Sequence, residues 1–381
     1  MTEILNAVRA ATVSIRAAAP DCERAGCLTE PVVATISDAG GFRMAWSRSR
    51  GGPELSPLEQ IEVIEELAAA DGSAGWCAMI NSDGGYLGAM LDPTVSAEMY
   101  PSLDLATSVV ATPSGRATID GDGFRVAGQW AFASGSTHCA WFFVGCLVFD
   151  GDEMQVGPDG MPTILMFAVP APDVEILDTW QTTGLNATAS NDIRVANVFV
   201  PCERTCSLLN GDAIDPSPLY SWRWNFFINV SGVPLGVARA ALANACEVAE
   251  TKIGMPSFAP IREEATVQHN VGLAAALTHS ARAYVFDAVG GAWTAMQSGR
   301  PPSPAEWREV RLATTHAMQS SKQAVTLLYE ALGTTGVYRT SVLDRQFRDL
   351  TTMSQHLIAQ TKTYAAAGRG FLGLDPAAIA F

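Results

Sequence analysis

The chain has 381 residues, enough for two or three structural units around a sizeable shared core. Hydrophobic residues make up 48% and charged residues only 17%, the balance of a globular chain that hides surface in an oligomer. A formal net charge of -15 argues against nucleic acid as a partner, because phosphate contacts need a basic face.

No run of about 18 uninterrupted apolar residues occurs, so no membrane span is expected. Met1 to Arg16 lacks a basic segment followed by an apolar block, so it does not read as a secretory leader. Of the eight cysteines, only Cys202 and Cys206 stand close enough to raise a metal site. No second Cys or His pair lies near them, so no metal is expected and the thiols read as reduced, in a cytoplasmic protein.

Residues 1–105 read as helical. Glu30 to Gly40 and Pro57 to Asp71 are predicted helices, with Leu58, Ile61, Val63, Ile64 and Leu67 at helical spacing in the second. Arg48 to Pro53 is a loop by its glycines and proline. From about 106 to 212 the pattern changes to short strands: Ser108 to Ala111, Ala117 to Ile119, Phe124 to Ala127, Trp141 to Phe149, Thr163 to Val169 and Ile193 to Val200. Asp120-Gly-Asp-Gly123 is a hairpin turn signal, and the spacing predicts a small barrel or sandwich. From 213 to 381 the chain returns to helix, over Gly232 to Glu250, Pro260 to Ser298, Pro304 to Leu332 and Leu343 to Gly368. Four long helices on short loops predict a bundle. The class is therefore α+β, in the order helical domain, β domain, four-helix bundle.

This order, with several motifs, resembles the acyl-CoA dehydrogenase superfamily. The motifs are Ala39 to Met44 with Gly51-Gly52, Asp178 to Leu185 with Val195 to Pro201, and Leu332 to Tyr338 with Arg345 to Asp349. Gly128 to Gly135 followed by His138 and Trp141, and a histidine on the last helix, His356, look like the two-component flavin monooxygenases within it.

A dehydrogenase of that family needs a carboxylate base to take a weakly acidic proton. The resemblance places it just after Arg348-Asp349, or on the first long bundle helix. Leu350 to Ile358 contains no carboxylate, and Glu250 falls about one turn short of the second place. The resemblance therefore implies an oxygenase that uses reduced FMN or FAD from a separate flavin reductase, through a C4a-hydroperoxyflavin, on a small aromatic or polycyclic substrate. The alternatives are a dehydrogenase with Glu250 as a relocated base and a non-catalytic flavin-binding homologue.

His356 is the first catalytic candidate, because an imidazole near neutrality can donate to a peroxide or deprotonate a phenol. Ser134 is the second, as a hydroxyl or amide donor to flavin N5 or O4. The resemblance sets Trp130, Phe132 and Ala133 with it beside the flavin. Gly333, Thr334 and Gly336 offer backbone amides and hydroxyls for the cofactor. Thr251 to Phe258 departs from the dehydrogenases' arginine-phenylalanine-glycine segment, which fits a borrowed flavin. The resemblance places Trp222, Trp224 and Phe227 near the substrate cavity, where aromatic walls favour a flat, apolar substrate. His138 is expected to pin its strand, and His269, His279 and His316 to be solvated or packed. A homotetramer is the family expectation.

Overall fold

The computed structural model describes residues 2–208, 211–222 and 224–374. Helices come first: α1 (Glu3–Ala25), α2 (Glu30–Asp38), α3 (Pro57–Ala70), α4 (Gly72–Asn81), α5 (Gly84–Gly88) and α6 (Pro93–Met99). α1 is a helix that periodicity alone does not announce, since it carries Pro20 and buries only a thin stripe including Leu5, Val8, Ile15 and Cys22. α3 starts where a capping box dictates. Ser56 accepts from Glu59 N, Glu59 reaches back to Ser56 N, and Pro57 supplies a preset φ. Asp71 ends α3 and caps α4, accepting from Ala74 N at 3.0 Å.

Strands follow: β1 (Thr107–Asp120), β2 (Gly123–Ala133), β3 (Trp141–Asp150), β4 (Glu153–Met154), β5 (Ile164–Pro170), β6 (Glu175–Leu177), β7 (Asn191–Pro201) and β8 (Thr205–Cys206). They form one sheet in the order β6-β7-β2-β1-β3-β5-β8, with β4 beside β3. Phe124 on β2 and Phe167 on β5 lie 5.2 Å apart although two strands separate them, so the sheet curls round its own core. The two strand segments expected at 108–111 and 117–119 are one strand. Its register against β3 breaks between Val110 and Gly115, around Pro113, which has no N–H for the ladder.

The bundle comprises α7 (Gly232–Thr251), α8 (Ala265–Gln297), α9 (Pro304–Leu332), α10 (Val342–Met353) and α11 (Lys362–Phe371). The single last helix expected over 343–368 is two helices. Ser354 turns its hydroxyl back to Thr351 O, and the His356 side chain caps a short 3-10 turn, Leu357–Ala359. Gly236 lets α7 meet the α3 backbone, where a Cβ would collide with Glu65 O. The buried Glu65 then joins α3 to the bundle through Arg239 at 3.3 Å and Arg282 at 2.9 Å.

Two motif segments far apart in sequence touch. Leu185 N donates to Asp349 Oδ1 at 2.6 Å, and Arg348 donates to Thr183 O at 2.6 Å. Arg348 also pairs with Glu23 at 2.7 Å and Arg345 with Asp71 at 3.4 Å. α1, the cap of α4, the strand region and α10 are thus locked together a few residues before His356. Among the described residues one stretch, Asn225–Thr251, is long and apolar enough to cross a membrane, but 78% of its window is buried inside the protein.

Candidate functional site

At the end of β2 the backbone departs from regular strand geometry. Trp130 pairs with Ile193 and Ala133 with Asn191, so three steps on β2 face two on β7. This bulge re-aims the intervening side chain. Phe132 adopts φ 68 and its ring stands 69% exposed, edge-on to Trp180 at 6.1 Å. A bulky residue held at positive φ is strained, and such strain gathers at ligand sites. Trp130 goes the other way. It is fully buried, donates to Gly145 O at 2.7 Å and is a core residue rather than a cofactor contact. Ala133 is also fully buried, so its side chain offers nothing to a ligand.

Ser134 follows at the turn, with Gly135 at φ 75. Its hydroxyl belongs to a chain whose direction can be worked out. Trp76 Nε1–H donates to Ser134 Oγ at 3.1 Å. Thr188 Oγ1 donates to Leu185 O at 2.8 Å, which uses its one proton. The Thr188–Ser190 bond at 2.6 Å therefore uses the Ser190 proton, and the Ser134–Ser190 bond at 2.8 Å uses the Ser134 proton. Ser134 N is also engaged, donating to Phe132 O at 2.9 Å. Ser134 thus has no free donor, contrary to the expectation of a donor role, and offers a hydroxyl lone pair as acceptor.

His356 lies in the irregular segment between α10 and α11, not on a helix. Its ring meets Trp76 in a T-shaped contact at 5.3 Å. Trp76 therefore touches both candidates and is the residue that sequence spacing could not mark as functional. Ile358 N donates to His356 Nδ1 at 3.4 Å, which leaves the proton of the neutral ring on Nε2. Burial first, and then the Arg311 cation, push His356 down to about 4. At neutral pH it is an uncharged imidazole with an Nε2–H to donate. Arg311 itself is buried, its Nε has no partner, and burial pulls it down to about 10.

His138 bonds Asn81 Oδ1 at 3.0 Å and stacks on Phe42, the pinning role expected of it. His269 and His279 are exposed, while His316 meets Ser320. Gly333 and Thr334 are exposed, but Gly336 is buried under Tyr329, where a Cβ would come within 3.0 Å of the ring. Gly336 is therefore a packing residue. Trp222 lines a cavity of about 420 Å³ together with Tyr86, Tyr220 and Phe226. Trp224 and Phe227 do not line it. They stack on each other at 6.1 Å, so the two expected walls are spent on packing. Glu250 is exposed on α7. All eight cysteines are unpaired, and among the described residues no group of three or more His, Cys, Asp or Glu could hold a metal ion.

The acyl-CoA dehydrogenase N-terminal domain profile matches residues 2–92 and the C-terminal domain profile residues 228–361. The chain is 30% identical to indole-3-acetate monooxygenase of Pseudomonas putida, over 95% of this chain and 91% of that protein. It is 26% identical to the flavin-dependent monooxygenase oxygenase subunit HsaA of Mycobacterium tuberculosis, over 92% and 90%. Among solved structures, XiaF from Streptomyces in complex with FADH2 and glycerol superposes with a TM-score of 0.90 at 23% identity, covering 100% of this chain and 97% of that one.

Proposed function

We infer the reaction from one premise: the chain belongs to the acyl-CoA dehydrogenase family, in its flavin-dependent monooxygenase branch. It is the oxygenase component of a flavin-dependent monooxygenase, and a separate reductase supplies its reduced flavin. The residues present fit that cofactor. Phe132 presents a bare aromatic face for a flat ring. Ser134 presents an acceptor, the complement of the N5–H that only reduced flavin carries.

Bound reduced flavin supplies the electrons that activate dioxygen, so that one oxygen atom enters the substrate and the other leaves as water. The chain's own residues do the rest. Phe132 positions the ring, Ser134 accepts a proton-bearing edge, and Trp76 holds Ser134 and His356 at a fixed distance. His356 donates from Nε2 to a developing negative charge in a partly dry setting, where such a bond counts for more than in water. The observation that carries this reading is that Trp76 joins Ser134 and His356, a neutral donor where a dehydrogenase would need a carboxylate. Glu250, the alternative base, is exposed.

The substrate is a small flat aromatic molecule, in keeping with the aromatic lining of the cavity at Trp222. The enzyme works in the cytoplasm as a homotetramer. Its unpaired cysteines support the first, and Val337 and Tyr338, 59% and 66% exposed beside the Gly333 loop, support the second.

The test is rapid mixing of the anaerobic protein, loaded with reduced FMN or reduced FAD, against oxygen. A transient absorbing species that far outlives the free-flavin reaction is expected, with one flavin preferred. Direct one-step oxidation with both flavins, together with bleaching of oxidised flavin by an acyl-CoA, would return the chain to dehydrogenase chemistry.

A further inference from the structure

The cavity at Trp222 holds a polar group that the fold itself does not use. Asp83 lines it and is only 4% exposed. Its Oδ1 is buried with no hydrogen-bond partner. Asp83 stands at the N-terminus of α5, where an aspartate ordinarily bonds a free amide of the first turn, yet its side chain makes no such bond. The neighbouring phenols do not serve it. Tyr86 donates to Gln60 Oε1 at 3.1 Å and Tyr220 to Ala45 O at 2.6 Å. Burial alone raises the Asp83 carboxyl well above the ordinary carboxylate range. A buried carboxyl without a partner is destabilising, and a ligand group that pairs with it removes that cost.

The rest of the lining says what such a ligand is. Tyr86, Tyr220, Trp222 and Phe226 give aromatic walls, and Met90 an adaptable one. At the rim stand two more acids, Asp212 and Asp215, and no Lys, Arg or His lines the cavity among the described residues. Asp215 is held below its usual range, and so anionic, by bonds from Ser49, Ser217 and Ser47 that outweigh its burial. An anion entering here meets like charge at the mouth and gains no counter-ion from the described lining.

We propose that Asp83 is the specificity-determining residue of the substrate cavity, and that the cavity takes a flat aromatic molecule bearing an N–H donor while turning away aromatic carboxylates. The word substrate rests on the monooxygenase reading; the ligand preference does not. An ammonium beside the buried carboxyl favours its ionised form and donates a charge-assisted bond to it, whereas an indole-type N–H donates a neutral bond to the carbonyl oxygen of the protonated form.

Three molecules share one ring system and differ in charge: tryptamine, indole and indole-3-acetate. Each is titrated into the full chain without flavin, by calorimetry. Tryptamine and indole bind, and indole-3-acetate binds at least about tenfold more weakly than tryptamine, roughly the effect of one lost charge-assisted bond. Asp83→Asn, which keeps the shape, brings tryptamine down to the level of indole. Trp222→Leu weakens indole and tryptamine alike and checks that the cavity is where they sit. Equal binding of tryptamine and indole-3-acetate overturns the proposal, as does an unchanged order in Asp83→Asn or no binding by any of the three. Because flavin and oxygen are absent, failure here leaves the monooxygenase reading intact, and failure of the oxygen reaction leaves the cavity's preference intact.

Discussion

The turn at Ser134 packs on α4 through Trp76 and Asn81, the cavity at Asp83 opens just past the end of that helix, and the two treat polar groups in opposite ways. Around Ser134 every donor is committed. Trp76, Ser134, Ser190 and Thr188 form a one-way chain that ends on the Leu185 carbonyl. The buried Oδ1 of Asp83 has no hydrogen-bond partner. A fully satisfied network fixes the geometry in which an atom is presented, whereas an unsatisfied buried group marks where something must arrive. Arg311, buried with a free Nε beside His356, belongs with Asp83 in this respect. The most informative changes are those that undo the commitment on one side or supply a partner on the other.

His356→Ala carries the largest expected effect. Removing a donor of this kind costs on the order of 10²-fold in product formation. Oxygen use continues and hydrogen peroxide replaces product, so the measurement is the ratio of the two per reduced flavin. An unchanged ratio would assign His356 a role confined to capping the 357–359 turn.

Next come two hydroxyls of the same chain. Ser134→Ala removes the acceptor itself, and about a tenfold faster release of hydrogen peroxide is expected from one polar contact. Ser190→Ala leaves Ser134 in place but frees its proton, turning an obligate acceptor into a group that donates or accepts. A smaller effect, about threefold, is expected on the same rate. If Ser190→Ala matched Ser134→Ala, orientation of the proton would matter as much as the hydroxyl. If it matched wild type, the derived direction of the chain would have no functional weight.

Arg311→Met tests the electrostatic half of His356. Burial is the larger cause of its depressed pKa and Arg311 the smaller, so the titration should move upward from about 4 only part of the way to ~6.5. A histidine held below its unfolded value contributes stability above ~6.5 and loses it as pH falls toward about 4. The acid limb of coupling, which follows the folded-state value, should therefore move to higher pH in the variant, while the loss of stability still starts near ~6.5 but ends sooner and is smaller, read by imidazole NMR, product ratio and urea unfolding across that range.

Much of this was legible in the residues, and the failures are instructive. The order of helix, sheet and bundle follows from periodicity, and α9 begins at Pro304 because Ser303 and Glu306 form a capping box that the sequence spells out. Strand alternation would put Trp130, Phe132 and Ser134 on one face. The bulge between 130 and 133 breaks that alternation, buries Trp130 and exposes Phe132, and no local signal for it stands in the sequence. The hydroxyl chain joins positions 56 and 58 residues apart, and its Trp76 contact depends on how α4 packs on the sheet. Asp83 before Gly84-Gly85 reads as an ordinary turn aspartate, because a missing partner is a property of three-dimensional packing alone.

The smallest expected effect lies at the joint of the three regions. Asp349 is engaged like Ser134, since its Oδ1 accepts from Leu185 N at 2.6 Å, yet it is a buried carboxyl like Asp83. Burial, and behind it the charge of Asp71, push it up to about 7 against the pull of Leu185 N, Arg345 and Arg348. A carboxyl held above its unfolded value of ~3.9 stabilises the fold while it keeps its proton. That contribution is fully present below ~3.9 and is lost as pH rises through about 7. Asp349→Asn keeps an acceptor for Leu185 N and has no proton to lose. Its stability in urea should differ from wild type by no more than about 1 kcal/mol at neutral pH. Its slope against pH between about 5 and 8 should be the flatter of the two. A slope as steep as that of wild type would mean that Arg345 and Arg348 keep Asp349 ionised throughout. The joint before His356 would then be held by charge and weaken with added salt, a dependence that the protonated form does not have.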